Sequence, residues 1–509
     1  MTEQRLIHQM ASVERWCVWQ CALKGPESGN PFTDHTVRAF FAHPCESKAV
    51  DGYYDGDGVY RVSFMPSFEG VYTYALTADF LQETLHGSFT VTPAREGNHG
   101  PVRVAAQYHF AYEDGTPYHS VGTTCYVWTH QSDEMIAQTL ETLASSCFNK
   151  IRFCVMPKHY DYNLGEPRSY PFEGTPMDSS VLTKENFWRY TGRAEGNHWD
   201  LTRFDPRHFR HLEKCIAALC ALGIEADIIL LHPYDRWGFS CMTREEDERY
   251  IRYCVARFAA YRNVWWSLAN EYDLMPKSIA DWEHIAATIC ACDPYQHLRS
   301  IHNCVPHYDY TRPWVTHCSI QRQDLYKTGE LVNQWRERYR KPVVMDEIAY
   351  EGNIQHGWGN ITGEEMTRRC WETALRGGYP GHGETVLNDT GYLWWSHGGR
   401  LYGESERRLA FLLDVMKQTP GYGLRLSPSC GWDEVHAVPQ TGSGYHLYYY
   451  SFMRPSFREF HFAEDEHYEV TVLDTWAMTR EVRGVCSGHF TVKLPAKQYM
   501  AIQLVRVEE

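Results

Sequence analysis

The first 95 residues of the chain alternate between apolar and polar positions with a period of two. Short runs rich in Val, Tyr and Phe, such as "TVRAFFAHP" and "GVYTYALTA", are separated by turns such as "DGYYDGDG". Successive side chains of a strand point to opposite faces, so this alternation predicts half-buried strands. Strands at such close spacing predict a small β-sandwich over residues 1–95, followed by the linker "AREGNHGP".

From residue 106 the pattern changes to buried strands that alternate with amphipathic helices. Eight near-continuous apolar strands of this kind predict a (β/α)8 barrel, a TIM barrel of the α/β class, over residues 106–424. A doubly wound sheet is the alternative, but no glycine-rich phosphate loop follows an early strand. The predicted strands are "HSVGTTCY", "NKIRFCVM", "IEADIILLHP", "NVWWSLANE", "HLRSIHN", "VTHCSIQ", "KPVVMDE" and "GYLWWSH".

A long irregular insertion over roughly residues 157–200 follows the second predicted strand. It contains "KHYDYNLGEPRSYPFEG", which is rich in Tyr, Lys, His and Asp. A solvated loop would have this composition too, but active sites of barrels lie on the side where strands end. We therefore expect the insertion to form one wall of a pocket.

The helix that follows the insertion has clear start and stop signals. Asp205 is placed as its N-cap and Pro206 as its first residue, and it is expected to stop before Gly223. Its apolar residues recur at spacings of three and four, which predicts one buried face. Those residues are Phe209, Leu212, Ile216 and Leu219.

Residues 425–509 return to the strand period, in runs such as "YHLYYYSFM" and "YEVTVLDTW". They predict a second β-sandwich. The chain is therefore expected to consist of a barrel flanked by two sandwiches that pack on it. The sandwiches are also candidates for a homo-oligomer interface near the pocket.

Composition and charge exclude several classes of function. The formal net charge of −15 argues against nucleic acid or an anionic membrane surface as a partner. The start of the chain has no apolar signal region, and no run of about 18 apolar residues occurs. The 17 cysteines include no Cys-x-x-Cys pair, which suits a reducing compartment and disfavours a zinc ribbon. We expect a soluble, cytoplasmic protein.

Polar side chains stand at the ends of the predicted barrel strands, where a purely structural strand has no use for them. Glu384 is a further candidate, because it lies on the glycine-rich loop "GHGE". Trp395 is a candidate platform for stacking on a sugar ring, although tryptophan also fills barrel cores. The candidates at strand ends are Arg152, His232, Asn270, Glu271, His302, Gln321, Glu347 and Trp395.

Two of these candidates are carboxylates on strands that face each other across the barrel, Glu271 and Glu347. Two carboxyl groups across a pocket suffice to cleave a glycosidic bond, one as a proton donor and the other as a nucleophile. Arg152 is placed to stabilise the ionised nucleophile, and Asn270 to bind the sugar 2-hydroxyl. Asp346 competes with Glu347, because strand alternation should direct only one of the two into the barrel.

The motifs resemble those of known families. Asn-Glu at the end of one barrel strand, with Glu at the end of the strand three later, resembles the large clan of retaining glycoside hydrolases on (β/α)8 barrels. "LKGPESGNPF", "YYDGDGVYRVSFMPSFEGVYTY" and "GSFTV" resemble the DUF5060 sandwich. The barrel resembles the DUF4038, or apiosidase-like, hydrolases, and the tail resembles DUF5605.

The resemblance implies Glu271 as acid/base and Glu347 as nucleophile. The leading hypothesis is a retaining hydrolase that removes terminal sugars from short oligosaccharides, because the lack of a signal region favours trimming of imported sugars. Related barrels commonly have Gly where this chain has Asp346, and apiose specificity does not carry over. Furanosides and pyranosides are both open as substrates. The alternatives are a non-catalytic carbohydrate-binding protein and a transglycosylase with the same site. No His-Glu-x-x-His pattern occurs, so we expect no metal and no cofactor.

Overall fold

The computed structural model describes residues 5–192 and 195–508 of the chain. At its centre eight parallel strands form one sheet, in the order β5-β4-β3-β2-β1-β8-β7-β6. A bridge between His302 and Ser319 joins the two ends of this sheet and closes the barrel. The strands are β1 (Gly122–Thr124), β2 (Lys150–Cys154), β3 (Glu225–Leu231), β4 (Val264–Ala269), β5 (Arg299–Ser300), β6 (Cys318–Gln321), β7 (Val343–Glu347) and β8 (Tyr379–His382).

Helices surround the barrel strands, and the predicted (β/α)8 architecture is confirmed. The exception to the alternation lies between β5 and β6, where residues 301–317 form a loop without a helix. The helices are α1 (Asp133–Ser145), α2 (Pro206–Ala221), α3 (Arg244–Phe258), α4 (Ile279–Cys292), α5 (Val332–Tyr339), α6 (Gly363–Leu375), α7 (Trp394–His397) and α8 (Ser405–Lys417). No helix in the described part of the chain is long and apolar enough to cross a membrane.

The start of α2 agrees with its sequence signals. The Asp205 side chain accepts a hydrogen bond from the backbone N–H of Arg207 at 2.9 Å, and Pro206 occupies the first helical position. Such a cap satisfies a backbone donor that has no partner within the helix. The four apolar residues of the predicted face are all buried against the barrel.

The prediction for the eighth strand is wrong. The run "GYLWWSH" contains the short helix α7, and β8 is formed earlier by Tyr379–His382. A β-carbon on Gly381 would lie 2.6 Å from the carbonyl oxygen of Met345, so glycine permits the close approach of β7. The sequence pattern did not predict this strand because it contains Pro380 and Gly381, and both residue types are depleted in strands. The apolar run is buried for a different reason, because α7 covers the end of the barrel where the strands finish.

The N-terminal region is a sandwich of two sheets. Aromatic rings fill the space between them: Phe41 and Phe64 stack with centroids 3.9 Å apart, and Trp19 and Phe89 stack at 4.6 Å. One sheet contains Leu6–Gln9, Trp19–Lys24, Tyr53–Tyr54 and Val59–Phe64. The other contains Ser12–Glu14, Val37–His43, Glu46–Asp51, Gly70–Ala78 and Leu85–Thr92.

The C-terminal region is also built from two sheets, as predicted. Their shared core includes Tyr448, Phe460 and Tyr468. The larger sheet contains Leu424–Leu426, Val435–Pro439, Tyr445–Tyr449, His467–Asp474, Thr479–Ser487 and Met500–Arg506. The smaller sheet pairs Phe457–His461 with His489–Lys493.

Three smaller sheets complete the barrel. The first is antiparallel and closes the end of the barrel where the strands begin: its Phe110 packs with Trp265 of β4 and Tyr379 of β8. Its strands are Val102–Ala105, His109–Tyr112 and Pro117–Tyr118. The other two are Phe172–Thr175 with His198–Phe204, inside the insertion, and Glu351–Gly352 with Glu384–Thr385.

A buried ion pair joins the N-terminal sandwich to the barrel. Arg257 of α3 has a fully buried side chain that lies 2.9 Å from Asp55 of the sandwich and donates to Glu213 of α2 at 2.8 and 2.9 Å. Removal of a buried arginine leaves the carboxylates that it contacts without that positive charge in a low-dielectric environment. This contact therefore fixes the sandwich against the barrel helices.

We expect Arg257→Met to reduce the free energy of unfolding by about 3–5 kcal/mol, because Glu213 loses its buried arginine, while Asp55 keeps Arg61 at 2.6 Å. Urea denaturation followed by circular dichroism measures the change. Arg252→Met, on the same helix but in a half-exposed pair with Glu248, is the matched control and should cost roughly 0–1 kcal/mol. Equal losses in the two variants would contradict this account of the interface.

Candidate active site

A cavity of about 170 Å³ opens at the end of the barrel where the strands finish. It combines two carboxylates with a wall of aromatic rings and one lysine. The residues around it lie at or after the ends of all eight barrel strands, and those after β2 belong to the insertion. They are Tyr126, Lys158, Tyr160, Tyr234, Glu271, Cys304, Gln321, Gln323, Glu347, Tyr350, Trp358 and Trp395.

Glu347 ends β7 and is held by several donors. Its Oε1 accepts a short hydrogen bond from the Tyr126 hydroxyl and a longer one from Arg152 Nη1 at 3.4 Å. His302 Nε2 lies 3.8 Å from the same oxygen. Arg152 also donates to the Asn270 side-chain oxygen at 3.0 Å. A cation and a phenol therefore both contact this carboxylate.

Glu271 follows β4 with its backbone in the left-handed region, at φ = 50°. A non-glycine residue pays roughly 1–3 kcal/mol for that conformation, which is typical of functional positions. Its Oε2 accepts hydrogen bonds from the Tyr234 hydroxyl and, at 3.3 Å, from the Asn270 side-chain nitrogen. The strained turn thus aims the carboxyl group into the cavity, where Tyr234 and Asn270 hold it.

The two carboxyl groups differ in their surroundings. Burial, and then the negative charge of Glu347, raise the pKa of Glu271 to about 7. The hydrogen bond from Tyr234 and the Lys158 ammonium act in the opposite direction but do not cancel the rise. Glu347 has Arg152 beside it, whereas Glu271 does not. Glu271 can therefore carry a proton near neutral pH.

Asp346 lies below the cavity in the barrel interior. Lys150 donates to it and to Asp227, both at 2.7 Å, and Ser319 donates to it at 2.5 Å. Burial works to raise the pKa of Asp346, but Lys150 and Arg152 outweigh it and the pKa falls below its ordinary value. The register between β6 and β7 shifts here, and Asp346 and Glu347 both approach Arg152. Asp346 does not line the cavity, whereas Glu347 does.

The aromatic wall comes from four parts of the chain. Trp395 of α7 lies with its ring centroid 5.7 Å from that of Tyr126, 5.6 Å from Tyr160 and 5.1 Å from Trp358. The sequence indicated Trp395, although on the wrong type of element. Lys158 and Tyr160 belong to the insertion that was expected to form a pocket wall, and both line the cavity.

Three other predicted site residues lie in the cavity lining or directly behind it. Gln321 lines the cavity, and its backbone pairs with Glu347. His302 lies beneath Glu347, and burial holds its pKa well below the ordinary value, so the ring is neutral. His232 is behind the cavity lining, with Nε2 3.4 Å from the Met156 carbonyl oxygen and its pKa lowered by burial to about 3. Both histidines therefore contribute shape rather than charge.

Glu384 lies outside the cavity lining. Its carboxylate accepts hydrogen bonds from the backbone N–H groups of Tyr402 and Gly403, at 2.7 and 2.8 Å. Together with Glu351 and His382 it forms a buried group whose potential metal-ligand atoms lie within 4.8 Å of one another. The Glu351 carboxylate accepts from the backbone of residues 404 and 405. Both glutamates thus fix the segment that leads into α8.

Sequence reasoning missed three tyrosines of the cavity. Tyr126, Tyr234 and Tyr350 line the cavity, and the first two hydrogen-bond the carboxylates. The chain has 34 tyrosines, and most of them lie in ordinary cores or on the surface. The residue type alone therefore did not identify these three.

Three family models match the chain. The apiosidase-like catalytic domain matches residues 105–384, which is more than half of the chain, while DUF5060 matches 12–79 and DUF5605 matches 432–505. No curated protein matches it. In chain order, the three matched regions fall on the N-terminal sandwich, the barrel and the C-terminal sandwich.

Solved structures agree with the family matches. A candidate glycoside hydrolase from Bacteroides vulgatus ATCC 8482 is 35% identical, with 98% of this chain and 100% of its own chain covered and a TM-score of 0.90. A glycoside hydrolase family 5 protein from the same organism shares the fold at 15% identity, with 80% and 94% covered and a TM-score of 0.60. The catalytic-domain match, the close structural relative and the paired carboxylates agree: the chain belongs to the apiosidase-like family and is a glycoside hydrolase.

Proposed function

We propose that the chain is a retaining glycosidase that removes single sugars from short glycosides, with Glu271 as acid/base and Glu347 as nucleophile. The observation that carries the proposal is the asymmetry of the two carboxyl groups in one cavity. The pKa of Glu271 is raised to about 7, while Glu347 lies against Arg152 and Tyr126. A retaining mechanism needs one protonated and one ionised carboxyl group of this kind.

In the first step Glu271 donates its proton to the leaving oxygen while Glu347 attacks the anomeric carbon. The glycosidic C–O bond breaks, and an ester bond forms between the sugar and Glu347. Tyr126 and Arg152 orient the attacking carboxylate through the oxygen that they share. Asn270, held by Arg152 at 3.0 Å, is the candidate donor to the sugar 2-hydroxyl.

In the second step Glu271, now ionised, takes a proton from a water molecule that attacks the same carbon. Esterification removes the negative charge of Glu347, and that charge is one cause of the raised pKa of Glu271. The pKa of Glu271 should therefore fall in the intermediate. The lower pKa makes the carboxylate a weaker base, but it keeps the group ionised, as a proton acceptor must be. The released sugar retains its anomeric configuration, because two inversions cancel.

The size and walls of the cavity support action on one terminal sugar. Its volume of about 170 Å³ is smaller than the roughly 300–1,000 Å³ that drug-sized ligands occupy. Rings of Trp395, Tyr160 and Trp358 surround it and offer faces for stacking. An open cleft for a long polysaccharide would instead extend past the carboxylates on both sides. Furanosides and pyranosides both remain candidates.

The first experiment is a panel of 4-nitrophenyl glycosides that includes furanosides. Wild-type protein should hydrolyse at least one of them without added metal. Glu271→Ala and Glu347→Ala should lose activity on a substrate with a poor leaving group, about 10²–10⁴-fold for the general acid alone. A protein that binds sugars from the panel but hydrolyses none would be a carbohydrate-binding protein instead.

Azide rescue tests the two roles separately. With a 2,4-dinitrophenyl glycoside, Glu271→Ala should complete the first step, because this leaving group needs no proton. Azide should then react with the ester and yield a glycosyl azide of the same anomeric configuration as the substrate. Glu347→Ala should yield the opposite configuration, because azide replaces the nucleophile itself. Products are identified by proton NMR.

Asp346→Ala is the matched control for the nucleophile, since it removes the neighbouring carboxylate. We expect it to give no glycosyl azide of opposite configuration. If Asp346→Ala is rescued in this way and Glu347→Ala is not, the nucleophile has been assigned to the wrong residue. A same-configuration azide from Glu347→Ala would reverse both roles.

The pH dependence of kcat/KM tests the state of Glu271. Since the acid form must donate a proton and the pKa is about 7, kcat/KM for a glycoside with a poor leaving group should fall tenfold for each pH unit above about 7. The 2,4-dinitrophenyl glycoside of the same sugar should lack this descending limb. A limb of equal size with both substrates would mean that another group controls it.

A further inference from the structure

Lys158 is the one cationic side chain that lines the cavity among the described residues. The residue is only 3% exposed. Its Nζ lies 3.3 Å from the ring centroid of Tyr126, 4.4 Å from Tyr234 and 4.9 Å from Trp395. With Tyr160 at 5.4 Å, four aromatic rings therefore surround an ammonium group next to the two proposed catalytic carboxyl groups.

This ammonium has no hydrogen-bond acceptor and no ion-pair partner in the part of the chain that the structure describes. Arg152 differs, because Asn270, Glu347, Asp227 and Asp346 all lie within 4.0 Å of its guanidinium group. Ring faces attract a cation, but they supply no acceptor for its three N–H donors. Burial of the amine, accordingly, lowers the pKa of Lys158 to about 8.

A buried, unpaired cation costs free energy that an anionic ligand group can offset. A carboxylate does so better than a hydroxyl, because charge-assisted hydrogen bonds are roughly twice as strong as neutral ones. The other charges of the cavity allow an additional anion. Glu271 is protonated when substrate binds below pH 7, and the charge of Glu347 is shared with Arg152 and Tyr126.

We propose that Lys158 is a specificity-determining residue and that it binds the carboxylate of a hexuronic acid, the sugar whose glycosidic bond is cleaved. This inference rests on the proposed function and names its substrate class. Lys158 lines the same cavity as Glu271 and Glu347, so the acidic sugar is the one that occupies that cavity. The sugar carboxylate accepts hydrogen bonds from the Lys158 ammonium group, whose N–H donors have no acceptor in the described part of the free protein.

Paired substrates test this assignment. 4-Nitrophenyl β-D-glucuronide and α-D-galacturonide are compared with the β-D-glucoside and α-D-galactoside, which carry CH₂OH in place of the carboxylate. We expect one uronide to exceed its neutral partner in kcat/KM by about 10- to 100-fold, the effect of one charge-assisted contact. Lys158→Met should remove this preference, so that the ratio of the two kcat/KM values falls to about one. Lys184→Met, an exposed lysine of the same insertion, should change neither value.

A binding measurement separates this proposal from the catalytic one. Quenching of tryptophan fluorescence reports occupancy of the cavity, since Trp358 and Trp395 line it. D-Glucuronate or D-galacturonate should bind wild-type protein more tightly than the neutral sugars, and Lys158→Gln, a second variant, should abolish the difference. This preference would support the inference even if no glycoside of the panel were hydrolysed. Equal binding of acidic and neutral sugars to the wild type, or equal loss for both in the variants, would overturn it.

Discussion

The charge balance inside the barrel is the constraint on which the site depends. Lys150 and Arg152 point inward from β2 and meet Asp227 of β3 and Asp346 of β7, with all four side chains buried. Two cations and two anions compensate each other in a space without water, which buried charges require. Arg152 also contacts Glu347 at the mouth of the barrel through its Nη1 atom. The interior network thus places a fixed cation beneath Glu347, the proposed nucleophile.

The proposed acid/base group, Glu271, has no arginine beside it among the described residues. Burial and the charge of Glu347 raise its pKa to about 7, and the hydrogen bond from Tyr234 does not cancel this rise. The two carboxyl groups are therefore different before any substrate binds. The difference comes from position alone: one carboxylate ends a strand above the ion network, and the other sits on a strained turn beside it. In the proposed mechanism the same coupling reverses when Glu347 is esterified, which would let Glu271 serve as acid and then as base.

Strand and helix periods predict most of the fold and both carboxylates, because the ends of parallel strands must converge at one face of a closed barrel. The prediction failed where local composition opposed tertiary structure. Tyr379–His382 contains Pro and Gly and still forms β8, while the apolar run around Trp395 is a helix that covers the cavity. Tyr126 and Tyr234 could not be assigned, since a tyrosine that binds a carboxylate has the same sequence pattern as one in a core. Lys158 was expected only as part of a pocket wall, because its isolation from acceptors is a property of the folded state.

The anomeric configuration of the first product tests the central claim most directly. Proton NMR can follow the hydrolysis of the most reactive glycoside in the panel, at times shorter than mutarotation of the free sugar. If Glu347 attacks the anomeric carbon and Glu271 activates the water that releases it, the first sugar to appear keeps the configuration of the substrate. A first product of inverted configuration would mean that water attacks directly, and the assignment of Glu347 as nucleophile would be wrong.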